Sequence, residues 1–375
     1  MKINESFILF GFLAAVLAWS LFPPHLAGPP SAEKALRITD MSGQSVEFDA
    51  LPSRIMMNTP VAWHYLTLTN SDEAITTIPP YMAREISVSL LGKIYPRLSS
   101  KPVSFLGSAA ASQPSVEQAM TINPDAILTW NYLSRGFENA KIPGVVKIIS
   151  DGGDKRKLFQ TLGQLSGQPD RAEQLWARHQ KEMDEFFASQ PDDVKEKTLI
   201  VLGNNSLALW NSASNPHFIK LFETLGGRNL AEQTKLGNAE TVNLETLLKL
   251  DPDIIYLNPY GMVFTTLTVG DIYTNPKLKG LKAVKNKRVY HMPAGAARLE
   301  GPVEEPLFMM WMYQTMHPEI EPTVNLRNKI KDAFMVMYHY DISTEEIDAW
   351  LRLSENRLSA GYGRFCSPEQ TAAGK

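Results

Sequence analysis

A fourteen-residue pattern occurs twice in this chain, and few folds accommodate it. Ser115–Leu128 and Asn243–Tyr256 align at a constant offset of 128 residues. Glu117 falls on Glu245, Pro124 on Pro252, Asp125 on Asp253 and Ile127 on Ile255, while apolar positions fall on apolar positions. Each copy reads as a short helix opened by Ser or Asn and stopped before proline, then a strand. The strands are continuously apolar rather than alternating, which predicts parallel sheets covered on both faces. Tyr132 and Tyr260 follow at the same offset. One large doubly wound sheet with a chance similarity is the competing explanation.

Between the copies, residues 155–190 carry a helical pattern divided by Gly167 and Pro169. From Pro169, Ala172, Leu175, Trp176, His179, Met183 and Phe186 recur at three- and four-residue steps. Such a segment is a helix of about 30 Å, long enough to join two α/β regions rigidly. Around it, Arg37–Asp40 and Ser45–Phe48 predict a hairpin about Ser42-Gly43, and Ile55–Met57 predicts a buried strand. Thr59–Tyr65 reads as a loop opening a helix, and residues 79–102 as a long, partly helical excursion. Thr198–Leu202 starts a second α/β region, Pro216–Leu225 is a helix stopped at Gly226, and Arg288–Met292 is a strand. Two helices finish the chain, the second opened by a Ser343/Glu346 capping box.

With 375 residues the chain has room for two lobes and large cores. A formal charge of −3 without a basic stripe argues against nucleic acid. The apolar run from Phe7 to Phe22, after Lys2 and before Pro23-Pro24, has the length of a signal-peptide core and is short for a membrane span. The expected address is the periplasm, reached by this signal, which could also stay as a membrane anchor. Cys366 is the single cysteine, so neither a lipid-bearing cysteine after the signal nor an internal disulfide is available.

These features in order resemble the periplasmic binding proteins of iron-siderophore, haem and corrinoid ABC importers. The marks are Ile38-Thr39-Asp40, Pro52–Ile55, Leu106-Gly107, the first Glu/Pro-Asp unit, Leu165–Gly167, Leu225–Asn229, the second unit and Ala283–Tyr290. The resemblance implies two doubly wound α/β lobes joined by one long rigid helix, with a C-terminal helical extension. The corresponding segments are 1–32 (signal or anchor), 36–165, 168–190 (connector), 195–322 and 323–360. It also implies that Glu117 and Glu245 dock onto the arginines of a membrane permease. On its own, each glutamate would be an ordinary partner for a helix dipole.

Loops at strand ends should line a cleft between the lobes. They carry Trp63, His64, Tyr81, Trp130, Tyr132, Trp210 and Tyr260, whose planar side chains suit a bulky metal chelate. Arg84 and Arg298 are candidates to pair with an anionic chelate. His64 could complete the coordination of an unsaturated metal, while His179 and His291 read as structural. The expected protein is a monomeric importer component without an intrinsic cofactor, metal site or catalytic residue. Its ligand would be a metal chelate: an iron-siderophore first, then haem, a corrinoid, or a nickel or cobalt chelate. A chelatase-like enzyme on the same fold and a membrane-anchored sensor are the alternatives. Turnover of an unligated porphyrin would favour the enzyme.

Overall fold

The structure is a computed structural model. It describes residues 36–57, 61–78, 82–83, 86, 90–103, 105–106, 113–114, 116–149, 154–191, 194–203, 208–209, 216–234, 242–258, 267–293, 295–296, 299, 301–302, 304–368 and 370. The apolar run of residues 7–22 lies outside them, and among the described residues no helix is long and apolar enough to cross a membrane.

The chain opens with the expected hairpin. β1 (Leu36–Thr39) and β2 (Ser45–Phe48) pair antiparallel, with Gly43 at φ +89° in the turn. The first sheet has the order β4-β3-β7-β8, built from β3 (Ile55–Met57), β4 (Ile75–Thr77), β7 (Ala126–Trp130) and β8 (Val145–Ile148). Every pairing in it is parallel. β5 (Phe105–Leu106) and β6 (Gln113–Pro114) form a separate small ribbon. Helix α1 (Ala62–Thr69) follows β3, and α2 (Val116–Ile122) leads into β7.

Two helices then follow. α3 spans Lys155–Leu165 and α4 spans Pro169–Ala188. Gly167 at φ +68° separates them, and Pro169 enters α4 where a missing N–H costs nothing. The segment expected to connect the halves, residues 168–190, contains this 20-residue helix.

The second sheet lies beyond it. β9 (Lys197–Gly203) pairs parallel with β11 (Gly227–Asn229) and β12 (Ile254–Leu257), and antiparallel with β10 (Ala208–Leu209). β13 (Val289–His291) pairs parallel with β12. The apolar runs behave as expected of strands buried on both faces. Leu199 and Val201 face the large core, while Ile200 and Leu202 face a second cluster with Ile255, Leu257 and Val289.

One helix has no counterpart in the sequence reading. α6 (Glu304–Met316) is buried along all thirteen residues. A helix that is apolar all round shows no amphipathic stripe and must sit inside the protein. Phe186 of α4 and Tyr256 of β12 pack on it from one direction, and α7 (Leu326–Tyr338) and Tyr362 from another, followed in the chain by α8 (Thr344–Trp350), α9 (Leu353–Asn356) and a 3-10 turn at Tyr362–Phe365. The capping box at Ser343/Glu346 is present, but the chain ends in more helical pieces than the two expected.

This C-terminal segment grips both sheets' surroundings. Arg171 of α4 donates to Thr67 O at 2.9 Å and to Val336 O at 2.9 Å, so connector, α1 and α7 share one guanidinium. Tyr95 packs edge-on against Tyr338. On the other side, β13 is an edge strand. His291 N donates to Asn356 Oδ1 at 2.6 Å, and Asn356 Nδ2 donates to His291 O at 2.9 Å. That side-chain amide replaces a neighbouring strand and closes the edge.

Candidate functional site

The repeated unit folds the same way twice. α2 and its counterpart α5 (Leu244–Leu250) show the same order of exposure, residue by residue, over their seven positions. Asn243 caps α5, its side chain accepting from Thr246 N at 2.8 Å. Each helix ends in a left-handed residue, Asn123 at φ +48° and Asp251 at φ +42°. Asn and Asp tolerate that conformation better than other side chains, so the stop lies one residue before each proline.

The aspartate of each Pro-Asp pair bonds to the start of a neighbouring strand. Asp125 Oδ2 accepts from Ser53 N at 2.8 Å, Ser53 Oγ at 3.0 Å and Arg54 N at 2.9 Å, just before β3. Asp253 Oδ2 accepts from Thr198 N at 3.0 Å and Thr198 Oγ1 at 2.8 Å, at the start of β9. Each carboxylate thus clamps the entry of the neighbouring strand. Partial burial by itself would raise both pKa values, but the hydrogen bonds from Ser53 and Arg54, and from Thr198, outweigh it and lower them. A lowered folded pKa contributes stability that is present above the unfolded value and is lost as pH falls through the folded one. Asp253→Ala should cost about 2 kcal/mol, because Thr198 loses a charged acceptor. Urea unfolding at pH 7 measures the loss, and the difference from the parent protein should shrink towards pH 3.

Each clamp lies three residues beyond the end of a glutamate helix. Glu117 and Glu245 are both exposed in the first turn of their helices. Tyr132 is 68% exposed beyond β7, and Trp130 at the end of β7 is half-buried. Trp63 and His64 are a correction to the sequence reading. They lie in the first turn of α1 rather than in an open loop, and both are buried. Amphipathic logic misses this because α1 has no polar face to orient it. Tyr81, Arg84, Trp210, Tyr260 and Arg298 lie outside the described residues.

His64 sits in a polar pocket the sequence did not announce. Its ring is 5.4 Å from Phe159 and lies against Gly301, where a Cβ would come within 2.7 Å of Nδ1. Lys155 pairs with Glu305 beside it. Burial, with the Lys155 charge, pushes the imidazole down to about 3, against a smaller opposing effect of Glu305. A neutral, enclosed ring is a packing element here. His179 of the connector bonds Pro302 O through Nδ1 at 3.1 Å and stacks on Trp176. His291 lies buried in β13. Glu304 is wholly buried and accepts from Ala296 N at 2.7 Å and Leu299 N at 2.9 Å. It therefore accepts from two backbone amides just before α6. Among the described residues no group of three or more His, Cys, Asp or Glu is placed to hold a metal ion.

A sequence profile for periplasmic binding proteins matches residues 95–296, the stretch that contains both glutamate units and the connector. The chain belongs to the periplasmic binding protein family. This is a family of binding proteins rather than enzymes. Among curated proteins, the Fe(3+)-citrate-binding protein YfmC of Bacillus subtilis is 28% identical over 203 residues, covering 52% of this chain and 61% of the relative. The molybdate-binding protein MolA of Haemophilus influenzae is 23% identical over 276 residues, 66% of this chain and 76% of the relative. A periplasmic solute binding protein from Veillonella parvula superposes with a TM-score of 0.75 at 26% identity, over 86% of this chain and 99% of that one. The match thus spans about three fifths of the iron-citrate relative and nearly all of the Veillonella periplasmic binding protein.

Proposed function

We propose that this periplasmic binding protein is the substrate-binding component of an ABC importer. It captures a metal chelate, an iron-siderophore foremost, between its two α/β halves and delivers it to the membrane permease. The observation that carries the reading is the pair of exposed glutamates at one register on two helices of matching exposure. A duplicated surface feature suits a partner with two equivalent faces, as a paired permease offers. The names of the iron-citrate and molybdate relatives support a small anionic or metal-bearing ligand. Half-buried Trp130 and exposed Tyr132 supply aromatic surface for it, with Tyr81, Arg84, Trp210, Tyr260 and Arg298 as the other contacts. The protein acts in the periplasm, as a monomer, with the N-terminal apolar run as its export signal.

The test is a titration of intrinsic fluorescence with ferric citrate, a ferric catecholate siderophore, haemin, cobalamin and molybdate. One iron chelate should quench saturably, and Trp130→Phe should remove much of the signal. Tyr132→Ala should weaken binding by up to about tenfold, the scale of one aromatic contact. Absence of saturable binding across the panel would sink the reading. Molybdate alone binding would move the ligand class to oxyanions.

A further inference from the structure

The exposed glutamates are not alone on their helices. Met120 stands three residues after Glu117, and Leu248 stands three residues after Glu245. Residues three apart lie on one side of a helix. Met120 is 70% exposed and Leu248 is 40% exposed. The opposite side of each helix is spent on the core through Ala119 and Leu247. A single exposed Met or Leu requires no explanation. Two at the same repeat register, each beside the glutamate, do.

We propose that Met120 and Leu248 are the apolar half of a two-point footing for the importer permease. Each footing pairs a carboxylate with an apolar side chain. The fitting partner is a membrane protein with two equivalent subunits, each presenting a cation beside an apolar pocket. This rests on the reading that the chain docks onto such a permease. Exposed ion pairs contribute little net affinity and weaken in salt, so two glutamates alone steer and orient more than they hold. Burial of a Met or Leu at each end adds a contribution that salt does not screen. Placing the charge and the apolar group on the same short helix lets one element provide both. The strand-entry clamps at Asp125 and Asp253 stand three residues after each helix, at the same repeat register.

The experiment uses the full chain in its native cells. A photocrosslinking residue is placed at 120 or 248, with position 335, an exposed methionine elsewhere on the molecule, as control. Positions 120 and 248 should both give adducts identified by mass spectrometry as an importer's membrane-spanning subunit, and position 335 should not. Met120→Ser plus Leu248→Ser should reduce co-purification of that subunit about tenfold, with the thermal midpoint unchanged. The binding that remains should become more sensitive to salt. Adducts only to lipid, to a second copy of this chain or to nothing would overturn the apolar footing if Glu117→Arg plus Glu245→Arg still abolishes co-purification. If that charge reversal leaves co-purification intact as well, the docking reading itself fails.

Discussion

A chain ending at Pro322 is expected to show no cooperative unfolding transition. The missing segment buries Ile330, Phe334, Met337, Trp350, Tyr362 and Phe365, each at most 5% exposed. At about 1.5–3 kcal/mol per buried side chain, six of them contribute on the order of 10 kcal/mol. That equals the whole net stability of a typical domain, about 5–15 kcal/mol. The loss also strips part of the cover from α6, which is buried along its whole length. Far-ultraviolet dichroism during heating, together with binding of a hydrophobic dye, measures the outcome. A truncated chain melting cooperatively within a few degrees of the full one would show that the C-terminal helices are an ornament. A narrower variant separates cover from edge closure. Asn356→Leu keeps the bulk but leaves His291 N and O without the amide, and should cost about 2 kcal/mol.

Lys155→Met should destabilise the protein by about 3 kcal/mol, because Glu305, nearly enclosed, loses a cationic partner. Lys155→Met plus Glu305→Leu should recover most of that loss, since an apolar pair of similar volume avoids the desolvation altogether. His64 gives an independent signal. Without the Lys155 charge and with Glu305 still in place, its pKa should rise from about 3, which proton NMR of the ring would follow. The sign for stability follows from the depressed value. The unfolded imidazole takes up a proton near 6.5 while the folded one resists, so stability falls as pH drops from about 6.5 towards 3. Lys155→Met should make that acid loss shallower. An unchanged His64 pKa would show that the ion pair exerts no field on the ring.

The two α/β halves were legible because their evidence is local and duplicated. A helix of seven residues, a proline, an aspartate and an apolar strand form one contiguous unit, and its recurrence at 128 residues needs no knowledge of contacts. The same holds for the connector, whose apolar spacing and flanking Gly167 and Pro169 are helix signals in themselves. The exposure of Glu117 and Glu245 also follows from the helix pattern. Met120 and Leu248 stood at the same offset and could have been singled out, but an apolar residue in a short helix reads as core until the buried side is known.

The sequence by itself therefore determined the paired glutamate helices, the α/β strands that follow them and the long helix from Pro169, because period, cap and repeat are properties of consecutive residues. Only the tertiary structure decided the rest. It buried Trp63 and His64, turned Glu304 and Glu305 inward, and gave Asp125 and Asp253 the entry of a neighbouring strand to hold. It also wrapped α6 in the C-terminal helices and set Asn356 along the edge of β13. Each of these depends on which separate elements the folded chain brings together, or on whether a polar side chain finds a partner once water is removed. Neither is a property of spacing.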